Sequence, residues 1–337
     1  MNDYDKYRPI TLLPTVDKIV ERIISDEMHN FFSCNNIITQ SQFGFLANKS
    51  TSSLLSQFTD LVNSHLDNKR HVLVVFIDYS KAFDTLKHET LLKKLDNCGI
   101  RGPVLNWCKE YLHDRAYYVK IADTYSSKHK VTVGTAQGSV LGPLHYLTYV
   151  NDAPNVVKKC TIFQFADDTC LISAHKDIKT AEQNLQADFT NICEWSHDAG
   201  LVLNAEKTVF LHIRSSHNVP DPAVEVKLIA HSHDCLHRKP NYCTCPQIGK
   251  KDRQTYLGVV IDDRLTWRYH IDSVCDKLRC VMGKLGVIRH RIPFTIRINL
   301  YKSLVESIIS YGLSSYGRTF NTYLDRIYSL QLRILKI

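Results

Sequence analysis

Three aspartates stand where carboxylates can act together. Asp78 follows the apolar run Val72-Leu73-Val74-Val75-Phe76-Ile77, which reads as a strand buried on both faces. Asp167 and Asp168 lie between two short runs of strand type, Thr161–Phe165 and Thr169–Ile172, as a hairpin with an acidic turn. If these strands pair, three carboxylates meet at one end of a sheet. Carboxylates so close repel one another, and their natural counter-ion is a hard divalent cation such as Mg²⁺. Two such ions can activate a 3′-hydroxyl and stabilise a leaving pyrophosphate, which is phosphoryl-transfer chemistry. Taken singly, each element has a plainer reading: Asp-Asp is common turn chemistry, and Asp78 can simply end a strand.

A second group could hold a different metal. His231, His233, Cys235, His237, Cys243 and Cys245 crowd into a polar, proline-bearing insertion of about residues 215–251. Cys235-x-His237 and Cys243-x-Cys245 could supply four zinc ligands, although such pairs fit a tetrahedral site less readily than Cys-x₂-Cys. The plain alternative is a loop enriched in Cys and His.

The elements that must position these residues follow from periodicity. Ile19, Val20, Ile23, Ile24, Met28 and Phe31 repeat at helical spacing after Pro14, and Leu54, Leu55, Phe58, Leu61, Val62 and Leu66 repeat after a Ser50 or Thr51 cap. Helices are expected over about 88–98, after Pro103, from Pro143, and over 179–199, where Gly200 ends the pattern. Residues 117–121 and 128–133 predict a hairpin, and 209–213 and 256–261 predict strands. Beyond Asp263 the pattern is helical, and it runs on to Ile337, which reads as a C-terminal truncation. Strand, helix, acidic hairpin, helix, strand is the order of a split-βαβ sheet in an α+β fold.

Composition narrows the partners. A chain of 337 residues with 44% hydrophobic and 23% charged residues can bury a core, and it exceeds the ~100–200 residues usual for one domain. No apolar run approaches the ~20 residues of a membrane span, and no signal-peptide pattern follows Met1, so neither membrane residence nor secretion is expected. Eleven cysteines, an odd count in a large chain, predict reduced thiols and a cytoplasmic or nuclear location. Of the net charge of +8, residues 264–337 carry a +9 excess, from thirteen Lys/Arg against Asp272, Asp276, Glu306 and Asp325. A near-neutral body with a basic tail suggests a polyanion partner, nucleic acid above all.

Several blocks then occur in a telling order: Phe76-Ile77-Asp78-Tyr79-Ser80-Lys81-Ala82-Phe83-Asp84, Ala136-Gln137-Gly138-Ser139, and Phe165-Ala166-Asp167-Asp168-Thr169. Tyr7-Arg8-Pro9-Ile10, Gln42-Phe43-Gly44-Phe45, Asn204-Ala205-Glu206-Lys207-Thr208 and Tyr256-Leu257-Gly258-Val259 complete the set. Together they resemble the reverse transcriptase of non-LTR, LINE-type retrotransposons, jockey-like elements in particular, along nearly the whole chain. The resemblance implies a right-hand polymerase, with fingers in residues 1–70, a palm with a split-βαβ antiparallel sheet in 71–263, and a helical basic thumb in 264–337. It implies RNA-templated addition of dNMP to a DNA primer with two Mg²⁺ ions, in an intracellular ribonucleoprotein whose endonuclease domain lies elsewhere in the full-length element.

Residue by residue, the resemblance makes Asp78 and Asp167 metal ligands with Asp168 as third carboxylate, and places Lys207 near the leaving pyrophosphate. Tyr79 lends a backbone carbonyl. Phe83 sits under the sugar and excludes a ribose 2′-hydroxyl, so dNTPs are preferred, and Gln137, Gly138 and Arg8 lie near the incoming nucleotide. Tyr256-Leu257-Gly258 resembles the hairpin that grips the primer end. Two departures stand out: Ala136 replaces a usual proline, and Leu46 stands where many relatives carry a basic residue, a role Lys49 could take over. The alternative they raise is a decayed copy that binds nucleic acid without extending a primer.

Overall fold

The apolar run from Val72 forms β1 (His71–Ile77), the central strand of a five-stranded sheet. The computed structural model describes residues 10–215, 226–232, 235 and 243–337. Antiparallel to β1 on either side run β8 (Asp168–His175) and β10 (Val209–Ile213). Outside β8 lies β7 (Thr161–Phe165), and outside β10 lies the short parallel strand β11 (Gly249–Lys250), giving the order β11-β10-β1-β8-β7. Helices separate β1 from β7 and β8 from β10 in sequence, as the split-βαβ expectation requires.

Both faces of this sheet are covered. Leu73, Val75 and Ile77 pack into a core with α1 (Thr15–Cys34), α3 (His88–Asn97), α4 (Gly102–Leu112), α5 (Gly142–Val150) and α6 (Ile178–Asp198). Val72, Val74 and Phe76 face the other way, into a core with α2 (Thr51–Asp67) and the C-terminal helices. A strand with no solvent face has no polar side to alternate, which is why its sequence is unbroken apolar. The C-terminal helices run Arg268–Ile288, Phe294–Tyr301 and Asn321–Leu335, and between the last two the chain continues as a π turn (Lys302–Glu306) and the short helices Ser307–Ser310 and Leu313–Tyr316. Their launch is fixed by Asp262, whose buried carboxylate accepts from the amides of Thr266 (3.0 Å) and Trp267 (2.8 Å). No described helix is long and apolar enough to cross a membrane.

Small ladders complete the fold. β2 (Tyr79–Ser80) pairs with β9 (Val202–Leu203). The expected hairpin after α4 forms as two nested ladders, β3 (Ala116–Tyr117) with β6 (His129–Lys130) and β4 (Lys120–Ile121) with β5 (Thr124–Tyr125). The single strand that the apolar run suggested over 256–261 is instead the hairpin that the resemblance implied, of β12 (Arg253–Tyr256) and β13 (Val259–Asp262). Leu257 and Gly258 both adopt positive φ, 46° and 77°, and reverse the chain where apolar character alone suggested continuity.

Buried imidazoles give the fold an acid limit. Burial lowers His145, His212 and His270 from an ordinary 6.5 to about 4, with neighbouring His88 adding at His145 and His71 at His212. Between about pH 6.5 and 4 the unfolded chain takes up protons that the folded chain refuses, so stability falls as pH falls through that window. The melting temperature is expected to drop steadily from pH 7 to pH 5. A melting temperature flat across that range would contradict this assignment.

Candidate active site

The last paired residues of β1 and β8 are Ile77 and Thr169, so Asp78 and Asp168 stand beside each other one step further along the register. Phe165 pairs with Asp168, which leaves Ala166-Asp167 as the two-residue turn between β7 and β8. Ala166 takes a left-handed φ of 55°, turning the chain so that Asp167 follows at the same sheet end. Asp78 and Asp167 are half-buried and Asp168 is exposed. The donor set is therefore three carboxylates at one solvent-accessible edge, hard oxygen ligands that suit Mg²⁺.

Backbone contacts hold this edge from two sides. The Asp78 amide donates to Thr208 Oγ1 (3.2 Å) and the Asp78 carbonyl accepts from the Asn204 amide (2.8 Å), so the block 204–208 is fastened to the aspartate itself. Lys207 is exposed on that block, its own amide bonded to Asn204 Oδ1 (3.2 Å). On the second side, Gln42-Phe43-Gly44 docks on the acidic turn. Gln42 Oε1 accepts from the amides of Gly44 (2.8 Å) and Ala166 (3.0 Å), and Phe43 donates to the Gln164 carbonyl (2.8 Å). This clamp was not foreseen from the sequence, where Gln42-Phe43-Gly44 carried only the family resemblance and no role.

The loop 134–142 is tied to the segment 83–86 that follows β2. Gln137 Nε2 donates to Asp84 Oδ1 (2.8 Å), and the amides of Gly134 and Thr135 donate to the carbonyls of Leu86 and Phe83. Gly134 is required here, because a Cβ would stand 2.7 Å from the Asp84 carbonyl oxygen. Gly138 has φ of 100°, and the Thr11 amide crosses to the Gln137 carbonyl (2.9 Å). Glu21 of α1, itself buried, ties the loop from behind by accepting from the Val140 amide (2.6 Å) and the Tyr111 hydroxyl (2.8 Å).

Aromatic rings floor the site. Phe83 is half-buried and stacks on Tyr146, with ring centroids 4.5 Å apart at 25°, so it is both a core contact and a surface residue. Burial pushes the Tyr146 hydroxyl well up, and the nearby charges of Tyr79, Asp167 and Asp168 add to the shift. Burial likewise raises Tyr79, whose hydroxyl lies 3.2 Å from Ser196 Oγ. On the other sheet face, Tyr256 is buried against Phe76 and Phe58, and the Leu257 carbonyl accepts from the Tyr311 hydroxyl (2.7 Å).

One expectation changes, and two others fall on residues outside the description. Lys49 does not stand in for a basic residue at Leu46: its ammonium donates to the carbonyls of Gln40 (2.9 Å) and Gln42 (2.7 Å) and so closes the 40–49 loop. Arg8 lies outside the described residues. In the Cys/His insertion the described donors that gather are His231, Cys235, Cys243 and Cys245, while His237 lies outside the described residues. A backbone bridge between Ile229 and Gln247 brings His231 and Cys245 to one end, and spacing along the chain could not show that contact.

The family description "Reverse transcriptase (RNA-dependent DNA polymerase)" matches residues 2–261. This chain belongs to the reverse transcriptase family. The probable RNA-directed DNA polymerase from transposon X-element of Drosophila melanogaster is 26% identical over 338 residues, covering 98% of this chain and 35% of that protein. The RNA-directed DNA polymerase from mobile element jockey of the same species is 27% identical over 346 residues, covering 99% and 36%. The chain thus spans about a third of the length of these relatives. Among solved structures, telomerase from Candida albicans matches with a TM-score of 0.53 at 11% identity, over 94% of this chain and 56% of that one. Apo telomerase from Candida tropicalis matches with a TM-score of 0.50 at 13% identity, over 99% and 51%. These likenesses fix the fold as the right-hand polymerase of reverse transcriptases, a family of metal-dependent polymerases.

Proposed function

We propose that the chain is the polymerising portion of a jockey-like non-LTR retrotransposon protein, an RNA-directed DNA polymerase that adds dNMP to a primer 3′-hydroxyl. The observation that carries this reading is the convergence of Asp78, Asp167 and Asp168 at one clamped sheet end. When bound there, two Mg²⁺ ions would lower the pKa of the attacking hydroxyl and neutralise charge on the leaving pyrophosphate. Asp78 and Asp167 would hold those ions, with Asp168 as third carboxylate and the Tyr79 carbonyl as a further oxygen donor.

The remaining residues position nucleotide and primer. Gln137 and Gly138 present a loop edge to the incoming dNTP, held against Asp84, while Lys207 and Arg8 serve its phosphates. The hairpin turn at Tyr256-Leu257-Gly258, buttressed by Tyr311, supports the primer end. Residues 1–70 act as fingers, 71–263 as palm and 264–337 as thumb. On the thumb, exposed Lys277, Lys284, Arg289, Arg291, Lys302 and Lys336 follow template–primer phosphates. Binding should therefore weaken steeply with salt. The endonuclease activity that nicks the primer strand belongs to another part of a longer protein, and the assembly works as an intracellular ribonucleoprotein.

Phe83 is the sugar gate of this scheme. Phe83→Val keeps a half-buried apolar side chain but removes the ring stacked on Tyr146, and it is expected to lower the dNTP-over-rNTP preference tenfold or more. Competition between dTTP and UTP in single-nucleotide incorporation measures it; an unchanged ratio would remove Phe83 from the gate. The reading as a whole is tested by Mg²⁺-dependent extension of oligo(dT) on poly(rA). Binding of that template–primer without extension would instead identify a decayed copy.

A further inference from the structure

The insertion after β10 holds a donor set that polymerisation does not use. His231 Nδ1 lies 3.5 Å from Cys235 Sγ and 3.5 Å from Cys243 Sγ. The ligand atoms of these three residues and of Cys245 all lie within 4.8 Å of one another. A tetrahedral zinc ion, with Zn–S of ~2.3 Å and Zn–N of ~2.05 Å, sets its sulfur and nitrogen ligands ~3.6 Å apart and two sulfurs ~3.8 Å apart. The two measured S···N separations match that tetrahedron. We propose that His231, Cys235, Cys243 and Cys245 bind one structural zinc ion.

The donor chemistry and the scaffold agree with this assignment. Three thiolates and one imidazole select a borderline-soft cation over Mg²⁺, so this centre is distinct from the carboxylate edge. Four protein ligands close the coordination sphere and leave no position for water or substrate, which makes the ion a staple rather than a catalyst. The Ser232 amide donates to Cys245 Sγ (3.2 Å), the kind of outer-shell bond that steadies a thiolate ligand.

Backbone pairing sets the ligands in place. The Ala230 amide donates to the Pro246 carbonyl (3.0 Å) and the Ile248 amide to the Leu228 carbonyl (2.8 Å), so the chain on each side of the cluster is zipped together. Gln186 of α6 fixes the zipper to the palm, with Oε1 accepting from the Ile229 amide (2.8 Å) and Nε2 donating to its carbonyl (3.0 Å). Zinc would lock the open end of this zipper, one residue beyond Ala230 and one before Pro246. From there the chain runs into β11 at the sheet edge and then into the β12–β13 hairpin.

Metal content of the full chain, purified under reducing conditions without chelator and desalted, tests the proposal independently of polymerase activity. One zinc per chain is expected by native mass spectrometry. The paired change Cys243→Ser with Cys245→Ser is expected to abolish it, His231→Ala to lower zinc affinity tenfold or more, and His237→Ala to leave it unchanged. Should the serine variant misfold, Co²⁺ loaded into the unaltered chain still decides, through the strong visible absorption of a tetrahedral thiolate site. Zinc-free protein after incubation with Zn²⁺, weak octahedral-type cobalt absorption, or loss through His237→Ala with retention in His231→Ala would each overturn the proposal.

Discussion

Asp167→Asn is expected to lower primer extension roughly 10³-fold or more while leaving template–primer affinity within about threefold, because it removes charge and little else. Asparagine matches aspartate in shape and tolerates turn geometry, so Ala166 can keep its left-handed φ and β7 can keep its pairing with β8. What is lost is one of three anionic oxygen donors at the sheet end. A polymerase whose ions are held there has no second source for that charge: Asp168 is already a member of the set, and Asp78 lies on the neighbouring strand. Asp78→Asn should behave alike, since the Asp78 backbone bonds to Thr208 and Asn204 do not involve its carboxylate. Steady-state dTMP incorporation beside an equilibrium binding measurement separates the two effects. A loss of less than tenfold would place the ions elsewhere.

Gly44→Ala is expected to lower the incorporation rate about 10²-fold with the metal ligands intact. A Cβ on Gly44 would stand 2.5 Å from the Ala166 amide nitrogen and 3.1 Å from the Phe165 carbonyl carbon. Both neighbours are backbone, so the acidic turn or the 42–44 segment must move. The turn is also gripped by Gln42 Oε1, which bonds the amides on both sides of the contact. A displacement near 1 Å at the metal ligands costs about two orders of magnitude in rate, because the reacting groups lose their alignment. Gly283→Ala is the matched control: nothing lies within 4 Å of its Cβ, and alanine favours its helix. Rates of the two variants, with melting temperatures for each, check the argument. An unchanged rate for Gly44→Ala would show that the turn tolerates the shift.

The contrast between these two sites shows what the sequence disclosed. Asp78, Asp167 and Asp168 were legible because each ends or turns a strand, and strands reveal themselves through local apolar runs. The continuity of Val72–Ile77 even announced that both faces are buried. The clamp was not legible in that way. Gln42 and Gly44 act through contacts more than a hundred residues away, and no period or composition records which backbone a glycine must approach. Glu21 under Val140, and Thr208 beneath Asp78, escaped for the same reason.

Local punctuation explains another miss. Gly258 interrupts the run Tyr256–Ile261, and an isolated glycine there signals a reversal as readily as a strand; the positive φ at Leu257 decides it. Phe83 shows a different case, since its ring packs on Tyr146 as a core aromatic would and still reaches the surface. In the insertion, Cys and His content pointed to a metal, yet the histidine that joins the cysteines is set by the Ile229–Gln247 bridge.

The central claim is that the edge formed by Asp78, Asp167 and Asp168 holds the catalytic ions. Fe²⁺ substituted for Mg²⁺ in the presence of template–primer and dNTP, followed by oxidative cleavage and peptide mapping, locates that ion on the chain. The account predicts cuts near residues 78–80 and 166–168, suppressed by excess Mg²⁺ and by Asp167→Asn. Cleavage absent from both segments, or insensitive to Asp167→Asn, would contradict it.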